Sequence, residues 1–154
     1  MIMDFKVKKV VKHSSDDGFF AELVKYGEDT FHEIRQTSYS ETLPGSIKAF
    51  HLHKEYWEMW TALKGEIMVV AYDGREDSST FGNIEVVYTG ESDLKVIAMP
   101  PGVAHGYKVL SKTNAGVLYH AGKEYDPKNP GIEEIDHNDP TINFDWTKEH
   151  EATS

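Results

Sequence analysis

Hydrophobic and polar residues alternate with a period of two along most of this chain, and the helical period of 3.6 is nearly absent. The alternation runs through 5–12 (FKVKKVVK), 30–41 (TFHEIRQTSYSE), 46–53 (SIKAFHLH) and 83–90 (NIEVVYTG). More continuous apolar runs cover 60–74, 94–100 and 115–122, and such runs predict strands buried on both faces. Turn signals separate them at short intervals: Asp17-Gly18, Pro44-Gly45, Lys64-Gly65, Asp73-Gly74, Phe81-Gly82 and Pro100-Pro101-Gly102. About eight or more short strands punctuated this way predict an all-β chain, an antiparallel sandwich or jelly roll. Residues 19–29 (FFAELVKYGED) read equally as strand or as one helical turn ending at Gly27. From Tyr125 the pattern decays into Pro, Asn and Asp, which predicts a tail running over the surface, pinned by Ile132, Ile135, Phe144 and Trp146. No internal repeat or flexible linker interrupts 1–154, so the chain reads as a single domain.

Composition narrows the function classes. Seven Phe, eight Tyr and three Trp among 154 residues supply enough apolar surface for one core, which excludes a disordered acidic tail. The formal charge of −10 repels phosphate backbones and argues against general nucleic-acid binding, while leaving room for one phosphorylated ligand in a local basic pocket. With no cysteine, disulfides, thiolate catalysis and Cys-based zinc sites are excluded. No apolar run approaches the roughly 18 residues of a membrane helix. The first seventeen residues carry Asp4 and alternate charged with apolar positions, unlike the apolar core of a signal peptide. A cytoplasmic protein without a membrane partner is the expectation.

The stretch 45–65 carries the most chemistry. On a strand, His51 and His53 project from the same face. Glu58 opens the next strand after a short reversal, and His105 follows a rigid Pro100-Pro101-Gly102 turn. Imidazoles and a carboxylate converging this way form a normal ligand set for a divalent metal ion. The same histidines also read as hydrogen-bonded cleft residues with no metal. Tyr56, Trp57 and Trp60 suit barrel packing better than stacking on a ligand ring. His13, His32, His137 and His150 sit in polar surroundings and read as surface residues, and the acidic run 133–136 as a solvated face.

Gly45, five residues, His51-X-His53, four residues, Glu58, six residues and Gly65 together satisfy the first motif of the cupin family, which this chain resembles. The second motif is kept in part, as Pro100-X-Gly102-X-X-His105, with Leu94 and Val109 at its ends. The resemblance implies a cupin jelly-roll barrel (a double-stranded β-helix) and puts His51, His53, Glu58 and His105 around a metal. A narrower resemblance is to the dTDP-4-dehydrorhamnose 3,5-epimerase family. It rests on Asp16–Glu22, on Glu76–Gly82, on Ile97–Tyr107, on Leu118–Pro127, and on Gly131-Ile132 with Asn138-Asp139-Pro140 and Asp145-Trp146. Gln36 and Ser40 also stand at the family's distances before His51.

That resemblance implies epimerisation next to the ketone of a nucleotide-linked 4-keto-6-deoxy sugar: a base removes a proton, an enolate forms, and an acid returns a proton to the other face. It makes His51 the base and Tyr119 the acid, with Tyr125 nearby, and gives Gln36, Lys48, His105 and His120 substrate contacts. It also implies a homodimer, which exposed edge strands would favour, and no cofactor. Several positions depart from the family. Lys48 stands for an Arg at the diphosphate, a monodentate substitute. Asp17 replaces an Arg, and the family's Asp partner for the basic His falls beyond Trp146. Glu58 replaces a Lys near the enolate, where a bare carboxylate would oppose the developing charge. A divalent ion held by Glu58 and the histidines would reverse that sign, but a His51 bound to it could not serve as the base. Two other classes stay open: a catalytically silent cupin that binds a sugar or nucleotide, and a metal-dependent cupin isomerase or dioxygenase on another small molecule.

Overall fold

The computed structural model describes residues 1–154 and contains twelve strands and no helix. The strands are β1 (Lys6–Lys9), β2 (His13–Ser15), β3 (Gly18–Phe20), β4 (Gln36–Thr42), β5 (Ile47–His53) and β6 (Glu58–Lys64). They continue as β7 (Glu66–Asp73), β8 (Ile84–Gly90), β9 (Lys95–Met99), β10 (Val103–Val109), β11 (Ala115–Ala121) and β12 (Ile132–Glu134). Two five-stranded sheets, ordered β1-β9-β6-β11-β4 and β12-β5-β10-β7-β8, pack as a sandwich, and β2 and β3 form a separate hairpin. All pairings are antiparallel. The all-β jelly-roll expectation is met.

The continuous apolar runs are explained by two-sided burial. In β7, Ile67, Val69 and Ala71 enter the cluster between the sheets, while Met68, Val70 and Tyr72 enter a second cluster on the outer face. That outer face is closed by Ile142, Phe144 and Trp146 from the C-terminal segment. The expected pinning of the tail by Phe144 and Trp146 is thus realised. Ile132 instead lies in β12, a strand added to the edge of β5. The opposite outer face, Met59, Val96 and Ala98, is covered by Leu23, Val24 and Ile34. Residues 30–35 alternate because they lie on that face as a loop, and residues 21–29 contain neither the helical turn nor a strand beyond Phe20.

One irregularity positions the site. Along β5 and β10, His105 stands opposite His51, but Tyr107 stands opposite Lys48. Two steps on β10 therefore match three on β5, a β-bulge that rotates the strand by one residue. The bulge brings Ala49 so close to β10 that a Cβ on Gly106 would lie 2.2 Å from that of Ala49. Only glycine fits there. Across the bulge Phe50 exchanges backbone hydrogen bonds with Ile135, so the segment after β12 braces the distortion.

Candidate active site

A cleft of about 220 Å³ opens between the two sheets, lined by β5 (Lys48, His51, His53), β6 (Glu58, Trp60), Tyr107, Ser40 and β11 (Val117, Tyr119), with Ile132 at its rim. It is smaller than the roughly 300–1,000 Å³ of a pocket that encloses a drug-sized ligand, so any occupant larger than a sugar ring extends outward. A larger, mostly apolar hollow beneath the β2–β3 hairpin is lined by Phe19, Ala21, Leu23, Leu63 and Leu94, with Lys12 and Glu91 as its polar members and no histidine or tyrosine.

Strict alternation would put Lys48 and His51 on opposite faces of β5. The bulge removes that obstacle, and both line the cleft. His51 and His53 share the cleft face as their spacing predicts. On the facing wall, Tyr119 points inward beside Ser38, while His120 points outward and its Nδ1 lies 2.8 Å from the Thr37 hydroxyl. His120 therefore lies outside the cleft. Gln36 and Tyr125 are joined to each other, since the Tyr125 amide donates to Gln36 Oε1 at 2.8 Å, and neither lines the cleft. Tyr125 is largely exposed. Trp57 stacks on His32 on the outer face, at a centroid distance of 3.5 Å, so His32 is a packed residue and not a free surface one.

At the base of the cleft the expected metal quartet is a trio. His53 Nε2 lies 3.2 Å from Glu58 Oε1, and His105 Nε2 lies 3.1 Å from Glu58 Oε2. Ligand atoms of these three buried residues lie within 4.8 Å of one another, and His51 is not among them. The His105 ring stands across from His51 in register yet leans toward His53, with 5.2 Å between ring centroids. Trp60 Nε1 donates to Glu58 Oε2 at 3.0 Å.

The hydrogen bonds assign the protons. His105 Nδ1 faces the Val103 carbonyl at 3.0 Å, and a carbonyl only accepts, so Nδ1 carries hydrogen. In neutral His105, Nε2 then presents a lone pair to a carboxylate oxygen. Two acceptors at 3.1 Å repel unless a second proton or a metal cation lies between them. His53 has no such conflict, because Tyr56 Oη at 2.6 Å can donate to its Nδ1 and leave Nε2–H for Glu58. Two imidazole nitrogens, one carboxylate and a side open to the cleft suit a divalent cation, and the orphan lone pair of His105 fits one directly.

Charge and burial set the remaining protons. Burial alone would raise the Glu58 carboxyl, but hydrogen bonds and attraction from His105 and His53 overcome it and hold the group well below the usual carboxylate range. His51 is pushed below its ordinary value of 6.5, first by burial and then by His105 and His53, against the opposing pull of Glu134 and Glu58. It is a neutral base near pH 7. Tyr119 is raised above the ordinary phenol value, first by burial and then by the charge of Glu58, so it keeps its proton. Glu134 stands opposite His51 in the β12–β5 register. The sequence pattern treats Glu134 as part of a solvated run, and nothing in 132–136 (IEEID) has the period of a strand.

A jelly-roll barrel with histidines and a carboxylate buried at the base of its cleft defines a cupin. More narrowly, the chain belongs to the dTDP-4-dehydrorhamnose 3,5-epimerase family, whose model it matches over residues 1–154. It is 44% identical over 149 residues to the spore coat polysaccharide biosynthesis protein SpsL of Bacillus subtilis, covering 97% of this chain and 99% of that protein. It is 30% identical over 150 residues to the probable low-salt glycan biosynthesis epimerase Agl13 of Haloferax volcanii, covering 96% of each. Among solved structures, dTDP-6-deoxy-D-glucose-3,5-epimerase RmlC of Legionella pneumophila, in complex with dTDP-4-keto-L-rhamnose, superposes with a TM-score of 0.83 at 25% identity. That match covers 98% of this chain and 82% of the other.

Proposed function

We propose that this protein epimerises carbons next to the ketone of a nucleotide-linked 4-keto-6-deoxy sugar, with His51 as base and Tyr119 as acid. The observation that carries this reading is that the two groups face each other from different sheets across one narrow cleft. Inversion of a carbon needs proton removal on one face and proton return on the other, and a base and an acid on opposite walls supply that. The protonation of the pair fits: burial keeps His51 neutral and keeps Tyr119 protonated. Lys48, exposed at the mouth, supplies a positive charge for the phosphate part of a substrate that extends out of the cleft. His105 serves from beneath by orienting Glu58 and not by touching the sugar.

The family Lys is absent, so the enolate needs another source of positive charge. His53, Glu58 and His105 would hold a divalent cation, which when bound polarises a ketone oxygen. His51 stays outside that group and remains free as the base. A homodimer in the cytoplasm belongs to this reading: the β4 edge and the exposed Phe19 and Phe20 give a second copy surface to cover, and a chain without cysteine suits a reducing compartment.

Proton exchange in D₂O tests the reading. The protein should incorporate deuterium at carbons flanking the ketone of a nucleotide-linked 4-keto sugar, followed by NMR. Tyr119→Phe should leave the first deprotonation partly intact and slow inversion by roughly 10²–10⁴-fold. His51→Asn should abolish both. No deuterium uptake with any such sugar, with or without added divalent metal, would point to a silent binder instead.

A further inference from the structure

We propose that Gln36 and Ser38 are positioning residues for the acid. They form a hydrogen-bond chain from the Tyr125 backbone amide to the Tyr119 hydroxyl, and this chain holds the Ser38 O–H ready for the phenolate that forms when Tyr119 gives up its proton. This rests on the reading of Tyr119 as the acid. Gln36, Ser38 and Ser40 share the inward face of β4, and Ser40 lines the cleft. Ser38 stands opposite Tyr119 in the β4–β11 register, so the two side chains leave the sheet on the same face.

The first links are set by groups that act in one way only. The Tyr125 N–H can only donate, and it meets Gln36 Oε1 at 2.8 Å. The amide nitrogen of Gln36 therefore lies at the other end, where Nε2 donates to Ser38 Oγ at 3.1 Å. Gln36 cannot turn over without setting its own N–H against that of Tyr125. Burial raises the Tyr119 phenol first and the Glu58 charge adds to it, while a hydrogen bond from Ser38 works the other way. β4 is an edge strand, held on one side by β11 alone. The Tyr125 tie draws the segment after β11 back over the start of β4, where the Arg35 amide also donates to the Ala121 carbonyl at 2.8 Å.

The consequence follows when the proton leaves. A neutral phenol donates or accepts, but a phenolate only accepts, so Ser38 must then be the donor. The Ser38 oxygen already receives the Gln36 N–H, and its own hydrogen is free to turn to Tyr119. A hydrogen bond to a charged oxygen is about twice as strong as a neutral one, so this contact tightens as Tyr119 delivers its proton. An interaction that strengthens toward the transition state speeds the step, whereas one of constant strength only aids binding. Gln36, which the resemblance placed on the substrate, thus has its oxygen and one N–H committed within the protein.

Two variants of the full chain test the proposal. Ser38→Ala removes the hydroxyl. Gln36→Glu keeps the size and the Tyr125 tie but presents an acceptor to Ser38, which draws the Ser38 O–H away from Tyr119. Each should slow inversion of a nucleotide-linked 4-keto sugar roughly 10–100-fold, the effect of losing a hydrogen bond to a charged group, with KM close to wild type. Combined with Tyr119→Phe, neither should lower the rate further, because all three changes act on one group. In protein carrying ¹³C-labelled tyrosine, the Cζ resonance of Tyr119, assigned by its loss in Tyr119→Phe, should shift in both variants. Wild-type rates of inversion or an unmoved resonance in both variants overturn the proposal. So does a raised KM with unchanged kcat in Gln36→Glu, which would return Gln36 to the substrate. A wild-type protein that inverts no such sugar, but whose Tyr119 resonance moves in both variants, upholds the chain and overturns only the acid reading.

Discussion

Replacing Glu58 by Gln changes no shape and removes one charge, so its cost follows from the partners already described. The carboxylate accepts from Trp60 Nε1 at 3.0 Å and faces His53 and His105 at 3.2 and 3.1 Å. An amide has one oxygen and one nitrogen. If the nitrogen takes the Oε2 place, it meets the Trp60 N–H, and two buried donors confront each other at about 1–3 kcal/mol. If it takes the Oε1 place, it meets His53 Nε2–H, and the cation beside His105 has no counter-charge. Removing one partner of a buried ion pair costs about 3–5 kcal/mol. Both arrangements point to a loss of about 3 kcal/mol, which for a chain of this length is a fall of about 6–12 °C in Tm. The measurement is urea unfolding of wild type and variant at pH 7, with calorimetry alongside. The pH dependence has a definite sign. The Glu58 carboxyl is lowered from its ordinary value of 4.5 on folding, so its contribution is complete above that pH and is lost as pH falls toward the folded value. The gap between wild type and variant should therefore be full at pH 7 and narrow below pH 4.5. A loss under about 1 kcal/mol at pH 7 would refute the assignment of a buried, charge-paired carboxylate.

Two further outcomes are expected. Lys48→Ala should weaken nucleotide-sugar binding several-fold in an isothermal titration, and unchanged affinity would remove Lys48 from the phosphate site. The acid limb of kcat/KM should lie below pH 6.5, because the base must be neutral and burial lowers His51; Glu134→Gln removes a charge that raises His51 and should move the limb lower still, so a limb that stays or rises would contradict the pairing.

The strands were legible where both the period and the turns spoke. The outer clusters account for the runs 60–74 and 94–100, since sheets buried on both faces leave no polar alternation to read. The run 115–122 instead buries Ala115 and Val117 between the sheets and leaves Leu118 and His120 half-buried on the other face. The pattern misled at residues 30–35, where a loop lying on the outer face alternates as a strand would. It was silent at β12, where three exposed residues gain strand geometry only from pairing with β5. Propensity carries little information in such an edge strand, because the stabilising partner is distant in sequence.

For the site, spacing predicted which face His51 and His53 share, and the motif predicted that Glu58 and His105 would join them. Two features escaped it. The bulge that turns Lys48 into the cleft is recorded only in the fit of Gly106 against Ala49, which no local pattern reveals. The separation of His51 from the trio is the other: two-residue spacing puts both imidazoles on one face, but only His53 joins Glu58 and His105 in the group whose ligand atoms lie within 4.8 Å of one another.

That separation changes what Glu58 means for the chemistry. Taken as a sequence position, a carboxylate where the family resemblance implies a Lys opposes an enolate. In the fold, both oxygens of Glu58 are committed, one to His53 and the other to Trp60 and to a His105 that requires a proton or a metal cation beside it. With a second proton on His105, the trio is neutral overall and its field at the cleft is that of a closed ion pair. With a divalent cation, the trio carries net positive charge, as the ammonium would. Neither state presents a bare negative charge to the substrate. The exchange of Lys for Glu is therefore tolerable only together with His53 and His105, and the three positions function as one unit. His51, left outside it, keeps the free lone pair that proton abstraction needs.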